Sequence, residues 1–456
     1  MPSGDRIVFD LSSIARWTGP AVGIARVEHA LATHALTMRP DIVLSIYDSG
    51  TGYFHAIEPA WAAQLVDWST TLEILNFDYR RDRTKLRNWL PSRYWLLMLL
   101  ERVRLTSRYA GVRRVIDRLQ RLTLLSRHMP MPFADRSGRR LPVIPAKLAV
   151  IGQLTLGRHD IVVSAGFDWY QLDADKIGAL KRQCGFRYVV MCYDIIPLLF
   201  PEFYAEPDVV LFRRHWDATF RQADRVLVNS RRVEADVRAY CAGLAIRPPE
   251  ISVVPLGYPS PPADAVPGPP LPGGLEDGRF VLFVATIEPR KGHRMLIRVW
   301  RRLLAAGIPQ RLRFKLAFVG RRGWMVDDLF PQIDELSRGG TLVHLADVSD
   351  SGLIGIYRAC AFCVYPSLYE GFGLPIVEAF SFGKAVIAST GGAVPETANG
   401  LAPCLDPTDE DAWFRELERW IKDGGARAPY EARVRQSFSH PDWESAAAQF
   451  FEAARG

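Results

Sequence analysis

Cysteine is scarce in this chain, with six residues in 456, and the six are scattered. Only Cys360 and Cys363 form a C-x-x-C pair. A zinc site wants a second pair or histidines at ligand spacing, and a thioredoxin-like site wants its pair opening a helix. This pair falls at a helix end and the buried strand after it, so both cysteines read as core residues, and neither a disulfide nor a metal site is expected. Long apolar runs are missing as well. Residues 95–100, WLLMLL, fall far short of the ~20 residues that a membrane-spanning helix requires. The start MPSGDR leads straight into strand-like IVFDL with no apolar leader or cleavage site, which points to the cytoplasm.

What is present is a globular composition, 48% hydrophobic and 23% charged, in a chain long enough for two ordinary domains. Proline and glycine crowd residues 255–274, PLGYPSPPADAVPGPPLPGG, so densely that no helix or central strand can run through them. That run divides the chain into a first domain at 1–255, a linker at 256–275, a second domain at 276–430 and a tail at 431–456.

Both halves alternate strand and helix. In the second, strand-like 279–286, 314–320 and 341–347 alternate with helices over 293–306 and near 327–337. In the first, strand-like 6–12, 42–48, 160–166, 187–197, 224–230 and 251–257 bracket a helix over 24–37 and another that Asn229 and Ser230 cap and that runs to about 241. The expected class is α/β, with two facing Rossmann-like, doubly wound domains.

Residues 80–127 break the pattern. Arginine dominates them, acids occur only at Asp82, Glu101 and Asp117, and their positive excess is larger than the formal +7 of the whole chain. Tyr94, Leu97, Leu100 and Val103, then Val112, Ile116, Leu119 and Leu122, recur at helical spacing. Such a basic helical insertion can dock on an anionic membrane surface, each cation adding about 1 kcal/mol, or it can be a solvated hairpin packed on its own domain. Nucleic acid is not the expected partner.

The strongest signal is AFCVYPSLYEGFGLPIVEAFSFGKAVIASTGGAVPE, residues 361–396. Apolar runs at 361–365 and 384–389 suit buried parallel strands, and between them Pro375 suits the first position of a helix that Gly383 ends, so the helix is placed at 375–382. Glu378 then lies in its first turn and Glu370 in the loop before it. Gly371 and Gly373 let backbone approach a ligand, and helix N-terminal amides favour an anion such as a diphosphate. Carboxylates suit sugar and ribose hydroxyls instead. Either glutamate alone reads more simply as a solvated loop residue or as a complement to the helix dipole, worth about 0.3–1 kcal/mol.

PSLYEGFGLP at 366–375, followed by Glu378 and Ala379, resembles the signature of family 4 retaining glycosyltransferases almost letter for letter. The resemblance implies the two-domain GT-B architecture, with the donor held mainly by the second domain, the acceptor mainly by the first, and a final helix crossing back to the first. It implies that Glu370 holds the sugar and Glu378 the ribose, with amides from Gly371, Phe372, Gly373 and Leu374 at the diphosphate. Arg290 and Lys291, in TIEPRKG at 286–292, resemble the family's diphosphate-binding basic pair, although Thr286 holds the place of the usual glycine. Such a pair stabilises charge on the leaving nucleoside diphosphate and can replace a divalent metal, so no metal or other cofactor is expected. Gly320, Trp324 and Val348 match positions where relatives bind the nucleobase, and Gly23 resembles the loop approaching the diphosphate and acceptor.

Tyr193 and Asp194, in YDIIP, resemble the family's His-Asp-x-x-Pro element with tyrosine in the histidine's place. A phenol titrates near 10 and an ordinary histidine near 6.5, so Tyr193 is expected to position the sugar, with no acid or base role. Asp194 is expected to orient Tyr193, bind the acceptor hydroxyl or cap local backbone. The reaction implied is retaining transfer of a hexose, with GDP-mannose as the favoured donor because the TIEPRK and YDxxP variants look like bacterial mannosyltransferases of surface-polysaccharide assembly. The acceptor is a glycan or lipid-linked saccharide, and residues 80–127 meet the inner leaflet. The alternatives are a UDP-sugar or deoxysugar donor, a GT-B epimerase, a glycosidase using paired carboxyls about 5–9.5 Å apart, and a silent sugar-nucleotide-binding scaffold.

Overall fold

A computed structural model describes residues 5–17, 23–67, 71–73, 143–145, 149–258 and 271–456. The arginine-rich 80–127, residues 19–22 of the glycine loop and residues 259–270 of the linker lie outside the described residues.

The first half contributes β1 (Arg6–Asp10), β2 (Val43–Asp48), β3 (Tyr53–Ile57), β4 (Thr71–Glu73), β5 (Val143–Pro145), β6 (Val150–Gln153), β7 (Asp160–Ser164), β8 (Arg187–Cys192), β9 (Arg225–Val228) and β10 (Glu250–Val253). Eight of these form one sheet in the order β10-β9-β8-β7-β1-β2-β3-β6, while β4 and β5 pair separately. From β10 to β2 every pairing is parallel. The interior strands are covered on both faces, and Ile161, Val162 and Val163 of β7 are fully buried. At the far edge β3 and β6 run antiparallel. The link from β2 to β3 is a short turn in which Gly52 takes φ +83°, and a link that short permits only a hairpin.

The second half contributes β11 (Phe280–Val284), β12 (Lys315–Val319), β13 (Leu342–Leu345), β14 (Phe362–Tyr365), β15 (Val386–Ser389) and β16 (Cys404–Leu405), in the order β13-β12-β11-β14-β15-β16. All pairings are parallel, and the order is the doubly wound one with its reversal between β11 and β14. Helices close both faces through apolar stripes. His293–Ala305 buries Met295, Leu296, Val299, Trp300 and Leu303, and Glu410–Lys422 buries Trp413, Leu417, Trp420 and Ile421 after its Asp409 side chain caps the Ala412 amide. Cys360 and Cys363 are buried in this core with their sulfurs 3.7 Å apart as free thiols.

Two expected boundaries move. The tail does not leave the second domain at 431, because the helix Ala428–Ser437 sets Val434 into the second-domain core. The crossing falls beyond it. The His440 ring bonds the Leu256 carbonyl, and the last helix, Trp443–Arg455, sets Phe450 and Phe451 into the first-domain core against Phe9, ring centroids 6.5 and 5.4 Å away. Second, the helix after the glycine turn is Leu374–Ser381, with Gly373 (φ +113°) at its N-cap. Glu378 is therefore its fifth residue, past the first turn.

Candidate active site

In a doubly wound sheet, ligands collect outside the carboxyl ends of strands where the order reverses. In the second domain that place lies between the loop after β11, which carries Arg290 and Lys291, and the loop after β14, which carries Glu370. Pro289–Lys291 form a short 3-10 turn that follows Glu288 and is closed by Gly292 (φ +83°), where an added Cβ would stand 2.3 Å from the Pro366 carbonyl oxygen. Only glycine lets the two loops approach so closely.

That approach assembles a charge cluster. Arg290 donates from Nη1 to Glu370 Oε2 and to the Tyr369 carbonyl, both at 2.6 Å, and from Nη2 to Glu288 Oε1 at 2.8 Å. Lys291 Nζ donates to Glu370 Oε1 at 2.7 Å, and the Tyr365 hydroxyl donates to the same oxygen at 3.0 Å. Burial pushes the Glu370 carboxyl up, but Arg290 and then Lys291 overcome this and hold it at about 2. Burial likewise disfavours the Arg290 cation, and Glu370 and Glu288 more than restore it, leaving its pKa raised well above the ordinary value. Arg290 is nearly enclosed and its Nε has no partner among the described residues. Lys291 spends one of its three donors on Glu370 and is the more available cation. Two cations face two carboxylates, so a diphosphate arriving here shares its cations with Glu370 and Glu288.

Glu378 belongs to a different contact. Its Oε1 accepts from Arg26 Nη1 at 2.7 Å and its Oε2 from the Tyr357 hydroxyl at 2.9 Å. Arg26 stands in the first turn of the helix Ile24–Met38, immediately after Gly23, whose φ of +53° and ψ of −127° suit glycine. This ion pair therefore joins the two domains, and the Arg26 side chain also lies 3.5 Å from Asp350. The eight-residue spacing of the glutamates thus separates a carboxylate facing its own domain's cations from one facing the other domain.

The glycine turn itself is pressed into the first domain. A Cβ on Gly371 would stand 2.3 Å from the Tyr193 carbonyl oxygen, and the Gly371 carbonyl accepts from Ser230 Oγ at 2.7 Å. Phe372 and Leu374 pack against the first-domain core, so their side chains serve the interface. Their loop's ligand-binding capacity lies in its backbone, and the amides of Phe372 and Gly373 meet no acceptor among the described residues. Nearby, Glu396 receives the amides of Arg231 and Arg232 at 2.9 and 3.2 Å, a carboxylate at the N-terminus of the facing helix Arg231–Gly243.

The first-domain pair divides. Tyr193 does not reach the charge cluster with its hydroxyl. Its ring lies in the first-domain core and its hydroxyl donates to the Ala165 carbonyl, just past β7, at 2.6 Å. The hydroxyl expected to position the sugar is thus committed to a backbone carbonyl of its own domain. Asp194 accepts the Ile196 amide at 3.0 Å, which is the local cap. Its carboxyl also lies in the field of the cluster: burial raises its pKa, with Arg290 opposing. Of the expected nucleobase positions, Gly320 serves packing, since a Cβ there would meet the Ala285 carbonyl oxygen at 2.0 Å, and Val348 is half-buried against the second-domain core. Trp324 is 40% exposed and reaches the first domain, its indole N–H donating to the Phe203 carbonyl at 2.7 Å.

Sequence reasoning passed over four participants: Arg26, Glu288, Tyr204 and a buried acid group. Arg26 stands three residues after Gly23 and Glu288 inside the motif TIEPRKG, where an acid two residues before a buried arginine is a readable signal. The acid group, Asp10, Glu28 and Asp168, lies at the first sheet's own reversal between β1 and β7. Burial raises Asp168 to about 8 and Glu28 well above the carboxylate range. Nothing in local sequence links three acids so far apart. Among the described residues no cluster of histidine, cysteine and acid is arranged to hold a metal ion, and no helix is long and apolar enough to cross a membrane.

Residues 273–437 match the model of glycosyl transferases group 1. The chain is 34% identical over 174 residues to the O-antigen chain mannosyltransferase B of Escherichia coli, 38% of this chain and 45% of that protein. It is 29% identical over 272 residues to the serotype-specific mannosyltransferase WbdA of Escherichia coli, 58% of this chain and 33% of that one. The alignments thus span less than half the length of these relatives. Among solved structures, Anabaena Alr3699/HepE in complex with UDP aligns over 98% of both chains at a TM-score of 0.54 and 17% identity, which shows a shared GT-B fold. The second domain thus resembles the group 1 glycosyl transferases, and the chain resembles bacterial mannosyltransferases.

Proposed function

From a group 1 glycosyl transferase domain closed against a second Rossmann-like domain, we propose that this chain is a retaining hexosyltransferase of family 4. It moves mannose from GDP-mannose to a glycan or lipid-linked saccharide during cell-surface polysaccharide assembly. The observation that carries the reading is the cluster at the β11–β14 reversal, where Arg290 and Lys291 meet Glu370 beside the Gly371–Gly373 turn. The mannosyl donor is supported by the relatives, which are mannosyltransferases.

In this reading Lys291 and Arg290 meet the diphosphate, stabilising the charge that grows on the leaving group as the glycosidic bond lengthens, and they supply what a divalent ion supplies elsewhere. Backbone amides of the turn add neutral donors to the same oxygens. Glu370, held ionised, accepts sugar hydroxyls with lone pairs not used by the cations, and Glu378 accepts ribose hydroxyls at the domain seam. The acceptor hydroxyl attacks the face the diphosphate leaves. Domain closure excludes water that would otherwise hydrolyse the donor. Residues 80–127 dock the protein on the inner leaflet.

The test is a panel of GDP-, UDP- and deoxysugar nucleotides, read first by thermal shift and then by donor consumption with and without chelator. Stabilisation and chelator-insensitive consumption with GDP-mannose are expected. The packing of the Tyr193 hydroxyl away from the cluster favours one competitor, a scaffold that binds sugar nucleotides without turnover, and binding without consumption of any donor would establish it.

A further inference from the structure

The segment after Asp194 crosses the cleft. Phe200 packs its ring on Tyr369, the residue before Glu370, with centroids 4.9 Å apart. The Phe203 carbonyl accepts the Trp324 indole N–H, and the Tyr204 ring lies on Trp324 with centroids 5.5 Å apart and planes at 32°. A first-domain turn, Pro201–Phe203, is thus gripped by the second domain at two points, one on each of the loops after β12 and β14.

Tyr204, at the end of that turn, has an unusual setting. It is half-buried, yet its hydroxyl makes no hydrogen bond among the described residues. A half-buried hydroxyl with no partner in the protein is left to water or to whatever binds in the cleft. Trp324 follows Gly323, whose amide donates to the Ile287 carbonyl at 2.9 Å, so the Tyr204 ring is set beside the turn that carries Glu288 and Arg290. Burial keeps the phenol protonated at neutral pH, so it is available as a donor. A neutral O–H donor facing a buried arginine suits an anionic oxygen that the arginine also attracts.

We propose that Tyr204 is a donor-contacting residue supplied by the first domain, its hydroxyl donating to the diphosphate of the nucleotide sugar beside Arg290. This rests on the proposed sugar-nucleotide site and adds to it a contact that exists only when the two domains are closed. The contact with Trp324 holds the ring at the cleft, and the diphosphate takes the hydroxyl's hydrogen bond.

Tyr204→Phe removes the oxygen and keeps the ring on Trp324, so it separates bonding from packing. Wild-type protein, Tyr204→Phe and Trp324→Phe are titrated calorimetrically with GDP and UDP and with guanosine and uridine, and melting temperatures are recorded. The expected result is a diphosphate affinity about 10-fold to 100-fold weaker in Tyr204→Phe, the range for a hydrogen bond to a charged group, with nucleoside affinity and melting temperature unchanged. Equal diphosphate affinity in wild type and Tyr204→Phe overturns the inference while leaving the proposed function standing. Equal weakening toward nucleoside and diphosphate also overturns it, since the hydroxyl would then act on the base or on packing. Failure of wild type to bind either diphosphate overturns the proposed function and this inference with it.

Discussion

Glu370 holds two cations from one neighbouring loop and a tyrosine from its own strand, so its removal leaves Arg290 with Glu288 alone in a nearly closed site. Breaking a buried pair by deleting one partner costs about 3–5 kcal/mol, because the other charge stays buried. Glu370→Ala is therefore expected to lower the unfolding free energy by about that amount as well as abolish donor consumption, and denaturant titration measures the first effect apart from the second. Asp168 carries a pH prediction of its own. Its carboxyl accepts Ser164 Oγ at 2.6 Å, and Asp10, Glu28 and Tyr188 also face it. Its folded pKa of about 8 exceeds the 3.8 of an unperturbed aspartate, so the folded state holds this proton where the unfolded state has lost it. The stability it contributes is complete below about pH 4 and is lost as pH rises toward 8. Asp168→Asn should flatten that part of the stability profile. Parallel profiles for variant and wild type would count against a buried, protonated Asp168.

At the scale of elements, the sequence carried the parallel strands well because each is an apolar run buried on both faces, as in β7, β8, β11 and β14. Gly383 takes the positive φ expected after the helix end, while Gly373, expected to let backbone approach a ligand, takes a positive φ at the helix N-cap. What escaped was set by tertiary contact. β6 is an exposed edge strand and β3 beside it is only partly buried, both with weak alternation, and Ile151 on β6 is 69% exposed. The hydroxyl of Tyr193 pointed inward because the Ala165 carbonyl was available to it, which no local pattern encodes. The Gly371 turn tests the same level. Its Cβ position clashes with backbone of the other domain, so Gly371→Ala should separate the domains at that point. The expected outcome is a large loss of turnover with the second domain's own unfolding transition little changed, measured by calorimetry alongside donor consumption.

Across the whole molecule, the site depends on surfaces that meet at the cleft: Arg26 on Glu378, Ser230 on Gly371, the helix Arg231–Gly243 on Glu396, and Trp324 on Phe203. The last helix, through Phe450 and Phe451, fixes the end of the second-domain chain to the first-domain core. Replacing Arg26 with methionine strands Glu378, buried at 5% exposure, without its cross-domain partner. Truncating one member of a buried charged pair at an interface costs about 2–5 kcal/mol, so the donor KM should rise at least about 10-fold while the acceptor KM stays put. Steady-state kinetics with each substrate varied in turn checks this.

The central claim is that the two domains close on a sugar nucleotide and transfer its sugar with retention. Release of nucleoside diphosphate from GDP-mannose, followed together with the anomeric configuration of the product by proton NMR, tests it most directly. The account predicts release by the wild-type chain, an α-configured mannoside, and loss of release in Lys291→Ala. A β-configured product, or release that Lys291→Ala leaves intact, would contradict it.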